Sequence, residues 1–360
     1  MPAPANRELT QIPVTDVRDG GTVRLAREGA AGARALRDEC VAWFPAIARP
    51  LVPLLDTLAR RWLVRSKSPY IEEIRTIAAD LGFPGVWFLN GSYQWSCTAL
   101  AREEDSVPWL ARTLDWPYPG LGRYVDVVHM RGAAGDYFNV SWPGYVGVLT
   151  AMAPGRFAAA INQAPLWRRT RHPWLRPYDL AVNGVHTWWR MRHIPPDQLL
   201  RQVCEECHTY AEAKTWLEIT PIARPAIFTL TGCSPSERCV IERTEEGFDT
   251  RHEATAAANN WINPVEPWEA RVGGALTLTC KYAEAAGNSL ARCEAIETWR
   301  GSFMNERFSW VVPPVLTPYT RLAVEMCAAQ GVLRVIGFES ESTKTPAQAV
   351  TAPREIALAA

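Results

Sequence analysis

Residues 97–116 read CTALAREEDSVPWLARTLDW, and they place three chemically capable side chains in a fixed order. Cys97 comes first, and Arg112 and Asp115 follow in one short segment. A cysteine acts as a nucleophile through its thiolate, which a neighbouring guanidinium favours. The competing interpretation is a buried structural thiol beside a local ion pair, because free cysteine is among the most buried residue types. The stretch therefore indicates catalysis only if the rest of the chain supplies partners.

The composition favours a globular protein and excludes several other classes. With 360 residues, 48% of them apolar, the chain can bury a large core. Lys and Arg together number 38, as do Asp and Glu, so no overall charge indicates a nucleic-acid partner. Nine scattered cysteines fit reduced thiols better than a disulfide framework. No secretory signal pattern and no long apolar run is evident, so we expect a cytoplasmic protein.

The order of predicted elements favours an α+β protein. Apolar spacing and capping residues predict helices, and alternation with turn residues predicts hairpins. The helices are expected over 30–65, 68–82, 196–217, 275–299 and 315–329, and the hairpins over 144–162 and 225–243. Short strands are expected near 254–261 and over 332–338. Residues 1–25 are predicted to be irregular or a short edge strand, and the tail after about 340 to be frayed. Helices and strands do not alternate regularly, which argues for layers rather than a doubly wound sheet.

Two segments allow a membrane or phosphate interpretation beside a structural one. Residues 165–193 contain six Arg, four Trp and no Lys, a mixture that could bind phosphate groups but is more typical of a solvated loop covering a core. The helices predicted over 30–65 and 68–82 could be either two core helices or an amphipathic pair with an apolar face open to a lipid or membrane surface.

No recognisable motif indicates a metal or a cofactor, and we predict neither. Cys204-x-x-Cys207-His208 matches a haem-attachment string, but a c-type haem would require export and an open helical pocket. A zinc site would need a second Cys or His pair. No P-loop, dinucleotide-binding glycine string or Gly-x-Ser-x-Gly elbow is found.

A cysteine nucleophile needs a base, and none of the six histidines falls in a recognisable signature. Cleavage between Ser96 and Cys97 would give Cys97 a free α-amine with a pKa near 8, which could accept the thiol proton. Asp115 would then hold this amine and Arg112 would lie against the sulfur. An oxyanion would need amide donors, for which Asn260 and Asn162 are candidates.

Several strings, in this order, resemble the acid ceramidase and N-acylethanolamine acid amidase family, which is related to the bile salt hydrolases and penicillin V acylases. The resemblance runs from about residue 68 to 340. It is carried by SPYIEEIRTIAADLGFPGVWFLNGSYQWSCTAL, ARTLDW, GYVGVLTAMAPGRFAAAINQ, ARPAIFTLTGCSPSERCVIER, AANNW and PYTRLAVEMCAAQGVLRV. No single string is decisive, but their joint order and spacing are.

The resemblance implies roles for the residues that match the family's motifs. Cys97 would be the nucleophile and the new N-terminus after self-cleavage, with Arg112 beside the sulfur and Asp115 on the amine. Asn260 would donate to the oxyanion. Residue 259 is Asn where the family usually has Thr, so Asn259 stays open as the alternative to Asn260.

Three further positions follow from the same resemblance. Asn162 or Gln163 would occupy the site after the first hairpin, and Arg292 would match a later functional arginine. The implied fold is a four-layer αββα sandwich of the N-terminal-nucleophile hydrolases. Residues 1–96 would form a helical, small-subunit-like segment, 97–340 the catalytic domain and 341–360 a frayed tail.

The implied activity is hydrolysis of the linear amide bond of an N-acyl substrate, with an apolar or fatty acyl group. Ceramide, N-acylethanolamine, N-acyl amino acid and β-lactam side-chain amides all stay open as substrates. An acyltransferase on the same fold and a non-catalytic lipid- or membrane-binding protein are the alternatives. The expected partner is thus a small-molecule amide or lipid, with peripheral membrane contact as a further expectation and no nucleic acid.

Overall fold

Two β-sheets packed face to face form the centre of the molecule. The computed structural model describes residues 9–92, 96–170, 172–190, 192–263, 268–269 and 282–358. The described strands are β1 (Val14–Asp16), β2 (Ser96–Glu104), β3 (Val107–Asp115), β4 (Asp126–Gly132), β5 (Gly135–Ser141), β6 (Thr150–Ala153), β7 (Phe157–Gln163), β8 (Leu166–Trp167), β9 (Ala226–Thr231), β10 (Arg238–Arg243), β11 (Phe248–Arg251), β12 (Ala256–Ala257), β13 (Trp268–Glu269), β14 (Thr320–Cys327), β15 (Val332–Glu339), β16 (Gln348–Ala349) and β17 (Arg354–Ala357). One sheet has the order β1-β4-β5-β6-β7-β9-β10-β11. The other has the order β12-β2-β3-β14-β15-β16, and β17 also pairs with β15.

Helices cover both outer faces of this pair of sheets. The described helices are α1 (Gly21–Glu28), α2 (Ala30–Trp43), α3 (Val52–Leu63), α4 (Ile71–Leu81), α5 (Val86–Gly91), α6 (Arg176–Arg190), α7 (Pro196–Glu206), α8 (Tyr210–Ile219) and α9 (Tyr282–Glu297). Helices α7 and α8 pack on the sheet that contains β4 to β11, and α9 packs on β2 and β12 of the other sheet. Strands β2 and β3 meet β7 and β9 across the middle of the molecule. The predicted α+β fold with the layer order αββα is confirmed.

The β2–β3 hairpin carries Cys97, Arg112 and Asp115. Its two-residue turn, Asp105 and Ser106, has φ values of 52° and 63°, which match the twist of the flanking strands. Both strands are buried over most of their length, because sheet and helix cover their two faces. The register pairs Ser96 with Asp115 and Cys97 with Leu114. Residues separated by a turn in the sequence thus become neighbours at the centre of the molecule.

The N-terminal segment packs on the rest of the chain through helices α1 to α5 and one edge strand. Strand β1 runs parallel to β4 at the edge of its sheet. Helix α4 ends at Gly82, whose φ of 65° allows the left-handed turn that the sequence predicts there. Residues 9–92 are therefore mostly helical, as expected, but they also contribute a strand to the sandwich.

An ion network joins α4 to α7. Arg201 Nη1 lies 2.9 Å from Glu73 Oε2, and its Nε donates to Glu205 Oε1 at 2.8 Å. The Tyr70 hydroxyl donates to Glu205 Oε2 at 2.6 Å, and the Arg201 guanidinium lies over the Tyr70 ring. Because Arg201 is buried, these contacts hold the two parts of the chain together with little competition from water.

Three predicted elements are wrong. Residues 315–329 were expected to be helical, but β14 occupies most of that range and is buried along its full length. The single helix predicted over 196–217 is two helices, because Cys207 adopts an extended backbone between α7 and α8. The segment 165–193 is not a simple loop, since it contains α6 and the short strand β8.

The frayed tail predicted over 341–360 is also wrong for the described residues. Strands β16 and β17 both pair with β15, and the Gly337 backbone N–H donates to the Thr351 hydroxyl at 2.7 Å. Ala347 and Thr351 are buried. The end of the chain therefore completes the edge of the second sheet.

No helix within the described ranges is long and apolar enough to cross a membrane.

Candidate active site

Strands β2 and β3 bring Arg112 against the sulfur of Cys97. Arg112 Nη2 lies 2.9 Å from Cys97 Sγ and also donates to the Ile161 carbonyl at 3.0 Å. Its Nη1 donates to the Thr150 hydroxyl and, at 3.4 Å, to the Leu149 carbonyl. The guanidinium is thus held by β6 and β7 of the facing sheet. This geometry suits a positive charge that stabilises a thiolate.

Burial works against that thiolate. Cys97 has no solvent exposure, and burial raises the pKa of its thiol to about 11, although Arg112 acts in the opposite direction. Asp115 contributes a smaller upward shift. In the uncleaved chain the sulfur is therefore a neutral thiol at physiological pH, and it needs a base before it can act as a nucleophile.

Asp115 lies at the end of β3, beside the bond that precedes Cys97. The Ser96 hydroxyl donates to Asp115 Oδ2 at 3.3 Å, and the Thr320 hydroxyl on β14 donates to Oδ1 at 2.8 Å. Arg292 Nη1 lies 4.0 Å from Oδ2. Burial nevertheless raises the pKa of Asp115 above its ordinary value, with Arg292 opposing the shift.

Of the two adjacent asparagines, Asn259 contacts Cys97 and Asn260 does not. The Cys97 backbone N–H donates to Asn259 Oδ1 at 3.0 Å, while Asn259 Nδ2 donates to the Gln163 carbonyl at 2.8 Å. Asn260 Nδ2 donates to the Trp261 carbonyl at 3.0 Å, and its Oδ1 accepts from Ser289. Asn259, and not Asn260, is therefore the asparagine that contacts Cys97, whereas the binding of an oxyanion by either residue stays a prediction.

Arg292 on α9 is fully buried, as is Arg112. Its Nη1 donates to the Cys97 carbonyl at 2.5 Å and to the Thr98 hydroxyl at 2.9 Å. Its Nη2 donates to Asn259 Oδ1 at 2.9 Å. Burial lowers the pKa of Arg292, and Asp115 opposes the shift. One helical side chain thus contacts Cys97, Thr98 and Asn259.

The two residues predicted after the first hairpin lie close by but differ from expectation. Asn162 Nδ2 donates to the carbonyls of Ala257 and Ala258 at 3.1 Å each, so its amide nitrogen is occupied. Its Oδ1 is buried and has no partner among the described residues, which makes Asn162 an acceptor and not an oxyanion donor in this structure. Gln163 enters the site through its main-chain carbonyl, which accepts from Asn259.

The site also contains three side chains that were not singled out from the sequence. Ser289 Oγ accepts from the Asn259 backbone N–H at 2.9 Å and donates to Asn260 Oδ1 at 2.6 Å. Thr150 and Thr320 hold Arg112 and Asp115, respectively. Only Ser289 has a local signal, because it precedes Arg292 by one helical turn and shares its face.

An apolar cleft adjoins this site. Its walls come from α2, α4 and α5 together with Trp116, which follows Asp115. Phe44, Phe83, Phe88 and Tyr118 are among its aromatic walls. Ser92 also lines the cleft.

The described residues contain no cluster of three or more His, Cys, Asp or Glu side chains that could hold a metal ion. Cys204 and Cys207, the pair in the haem-like string, are buried free thiols.

Comparison with known proteins identifies amide hydrolases as relatives. The chain is 26% identical over 186 residues to the N-acylethanolamine-hydrolyzing acid amidase of Oryctolagus cuniculus, covering 50% of this chain and 49% of the relative. It is 25% identical over 252 residues to that of Cavia porcellus, covering 68% and 63%. It is 31% identical over 121 residues to the acid ceramidase of Homo sapiens, covering 34% and 28%. The chain thus spans less than two thirds of the length of these relatives. The names of these relatives confirm the predicted resemblance to the acid ceramidases and N-acylethanolamine acid amidases.

Two other comparisons complete this picture. No family model matches the chain. Among solved structures, a Caenorhabditis elegans ortholog of the N-acylethanolamine-hydrolyzing acid amidase aligns with a TM-score of 0.47 and 17% identity, over 65% of this chain and 93% of that one. A mutant of the conjugated bile acid hydrolase from Clostridium perfringens aligns with a TM-score of 0.39 and 11% identity, over 72% and 96%.

Proposed function

We propose that this relative of the acid amidases and acid ceramidases is a cysteine N-terminal-nucleophile amidohydrolase that becomes active when the bond between Ser96 and Cys97 is cut. The observation that carries the proposal is the convergence on Cys97. Its sulfur contacts Arg112, its backbone N–H contacts Asn259 and its carbonyl contacts Arg292. Each of these polar groups is buried, and burial of a polar group costs free energy unless the group is hydrogen-bonded.

Cleavage would supply the missing base. The new α-amine of Cys97, with an ordinary pKa near 8, can take the thiol proton at neutral pH. Asn259 Oδ1 already accepts from this nitrogen, and Asp115 lies beside the residue that would be removed from it. These contacts support a role for both side chains in holding the amine in place.

The reaction then follows in two steps. The Cys97 thiolate attacks the acyl carbon, the C–N bond breaks, and the amine leaves with the proton returned from the α-ammonium. Water adds to the resulting thioester, releases the carboxylic acid and restores the thiol. For Asn259 to stabilise the oxyanion, its Nδ2 has to leave the Gln163 carbonyl, and each such donor is worth on the order of 10²–10³ in rate.

The apolar cleft supports an acyl group of hydrocarbon character. Its walls are predominantly aliphatic and aromatic, and one of them is Trp116, which follows Asp115 in the sequence. A chain bound there would lose contact with water, which favours long acyl groups by about 0.8 kcal/mol for each buried CH₂.

Assay of an N-acyl amide with Cys97 variants tests the proposal. Cys97→Ala and Cys97→Ser are expected to abolish amide hydrolysis while the far-UV circular dichroism spectrum stays unchanged. Cys233→Ala, which removes a thiol outside the site, is the matched control and should retain activity. Full turnover by the Cys97→Ala protein would contradict the proposed mechanism. An added amine acceptor distinguishes hydrolysis from acyl transfer by its products.

Peripheral membrane contact is a second proposal, and one surface favours it. Helix α6 and the turn before it expose Trp174, Tyr178 and Trp189, and Arg65 after α3 lies over the Trp189 ring. Leu51 and Leu54 are exposed at the start of α3. Sedimentation with lipid vesicles should be lost on Trp174→Ser and Trp189→Ser if this surface binds lipid. Localisation in the cytoplasm stays a prediction.

A further inference from the structure

Among the residues that the structure describes, two hydroxyl groups donate to the carboxyl group of Asp115, and they lie on opposite sides of the bond before Cys97. The Ser96 hydroxyl donates to Oδ2 at 3.3 Å, and it belongs to the piece that cleavage would separate from Cys97. The Thr320 hydroxyl donates to Oδ1 at 2.8 Å, and it stays on the piece that would begin at Cys97. Cleavage would therefore free Oδ2 for another donor and leave Oδ1 held as before.

Thr320 reaches Asp115 through an irregularity in the pairing of β14 with β3. Leu322 pairs with Leu114. One step along β3, Asp115 pairs with Thr320, so Arg321 is an extra residue between the two pairs. In a regular antiparallel ladder Arg321 would lie opposite Asp115. Such a β-bulge changes which side chain faces a given partner, and bulges are frequent beside active sites. Here the bulge places a threonine hydroxyl opposite the carboxyl group.

The two residues that flank Thr320 hold the bulge in place. Arg321 is buried, and its Nε donates to the Trp116 carbonyl at 2.9 Å. On the other side, the Tyr319 carbonyl accepts from the Trp116 N–H at 2.8 Å. Both ends of the bulge are thus bonded to the residue that directly follows Asp115. This arrangement keeps Thr320 opposite the carboxyl group.

The hydrogen of the Thr320 hydroxyl is directed to Asp115. The Thr317 N–H donates to Thr320 Oγ1 at 2.9 Å, so this oxygen already acts as an acceptor. A threonine hydroxyl has a single hydrogen, and Asp115 Oδ1 at 2.8 Å is a closer acceptor than the Thr317 hydroxyl at 3.3 Å. A hydrogen bond to a carboxylate is also stronger than one between neutral groups. The contact therefore favours the ionised form of Asp115.

The carboxyl group of Asp115 needs such donors because it is buried. Four other ionisable side chains face it from β2, β3, α9 and β14: Cys97, Arg112, Arg292 and Arg321. Burial raises the pKa of Asp115, and the Arg292 charge and the hydrogen bonds from Thr320 and Ser96 act in the opposite direction. Since cleavage would remove the Ser96 hydrogen bond, the Thr320 hydroxyl is the one of the two that remains.

We propose that Thr320 is a positioning residue, which holds Asp115 through Oδ1 so that Oδ2 binds the α-amine of Cys97. Asp115 pairs with Ser96, the residue that precedes this amine. The amine takes the thiol proton, and the carboxylate keeps it beside the sulfur. The inference rests on the proposed function, because the amine exists only after the bond before Cys97 is cut.

Thr320→Val removes the hydroxyl at nearly constant volume, and Thr320→Ser keeps it. Hydrolysis of N-lauroylethanolamine is measured across the pH range, and each rate is divided by the fraction of chains cut before Cys97, which intact mass gives. We expect kcat of Thr320→Val to fall about ten- to a hundredfold, with KM changed by less than about twofold. Because Asp115 has to be ionised, the acidic limb of the kcat profile should move to higher pH by about one unit. Thr320→Ser should behave like the wild-type protein.

Thr231→Val is the matched control for loss of a buried threonine hydroxyl. Thr231 on β9 is fully buried, and its hydroxyl has no hydrogen-bond partner among the described residues. This variant should keep both kcat and the pH profile. If Thr320→Val does not fold, as judged by circular dichroism, Thr320→Ala takes its place.

Three results would overturn the inference. An unchanged acidic limb in Thr320→Val, or a loss that Thr320→Ser does not restore, would do so while wild-type hydrolysis still upheld the proposed function. Thr320→Val chains that stay uncut when Thr320→Ser chains are cut would show that the hydroxyl acts before the amine exists. Wild-type protein that hydrolyses the amide without being cut would refute the proposed function as well.

Discussion

One guanidinium sets the chemistry of the Cys97 sulfur. Arg112 lies 2.9 Å from the sulfur, yet burial raises the pKa of the thiol to about 11. The arginine therefore reduces an unfavourable effect of burial and does not by itself create a thiolate. Removal of its charge should make the sulfur still harder to ionise.

Arg112→Gln is expected to lower kcat/KM by at least about a hundredfold and to move the pH profile of thiol alkylation to higher pH. Arg112→Lys keeps a positive charge without the planar fork and should show a smaller shift. The profile is measured with iodoacetamide and mass spectrometry. An unchanged profile in Arg112→Gln would mean that the arginine does not act on the sulfur.

Asn259 and Asn260 offer a matched pair for the second test. Asn259→Ala removes the acceptor of the Cys97 N–H and should reduce self-cleavage or hydrolysis by about 10²–10³. Asn260→Ala removes contacts with Ser289 and Trp261 only, so a decrease below about tenfold is expected. Equal losses in the two variants would contradict the assignment of Asn259.

The sequence could predict most of the site residues but not which of two neighbours faces the sulfur. Adjacent asparagines are chemically identical, and the backbone bend after β12 decides which one contacts Cys97. Thr320 could not have been predicted either, since it reaches Asp115 through the register of β14 against β3. Such contacts depend on strand pairing between distant segments.

At the level of elements, the contact between α4 and α7 holds the N-terminal segment on the rest of the chain. Arg201 is buried and bonded to Glu73 and Glu205, so its loss leaves two carboxylates without their cation. We expect Arg201→Ala to lower the free energy of unfolding by about 3 kcal/mol.

Arg75→Ala is the control for this change, because Arg75 forms an exposed pair with Glu72 on the same helix, α4. It should cost less than about 0.5 kcal/mol. Urea unfolding followed by tryptophan fluorescence measures both. A similar small effect for the two variants would show that the network contributes little to the association of the segments.

The elements that the sequence predicts correctly have a clear pattern or stop signal. Helix α4 has Gly82 at its end, and the strands β9 and β10 have turn residues between them. Strand β14 was misassigned because it is buried on both faces, so the apolar alternation that marks a strand is lost. The break between α7 and α8 had a signal, a Thr209-x-x-Glu212 capping box whose Thr209 hydroxyl accepts from the Glu212 N–H at 3.2 Å.

For the whole molecule, buried carboxyl groups make stability depend on pH. Burial raises the pKa of Asp126 and of Asp197 to about 6, from an ordinary value of 3.8. The folded state therefore binds these protons more tightly than the unfolded state does. The stabilisation is fully present below the unfolded value and is lost as the pH rises from about 4 through 6.

The free energy of unfolding should accordingly fall between pH 4.5 and 6.5, by up to about 3 kcal/mol for each carboxyl. Asp197→Asn should reduce this slope, whereas Asp38→Asn, which changes an exposed carboxyl, should not. Urea titrations across this pH range measure the slope. A slope that is the same in wild-type and Asp197→Asn protein would show that Asp197 is not the responsible group.

The central claim is that the chain becomes an enzyme by breaking the bond before Cys97, and intact-mass analysis of the purified protein tests it most directly. Wild-type protein incubated at acidic and neutral pH is predicted to give two fragments that meet at Ser96 and Cys97, and Cys97→Ala protein is predicted to stay whole. A single unbroken wild-type chain after long incubation at both pH values, in protein that hydrolyses an N-acyl amide, would contradict the account.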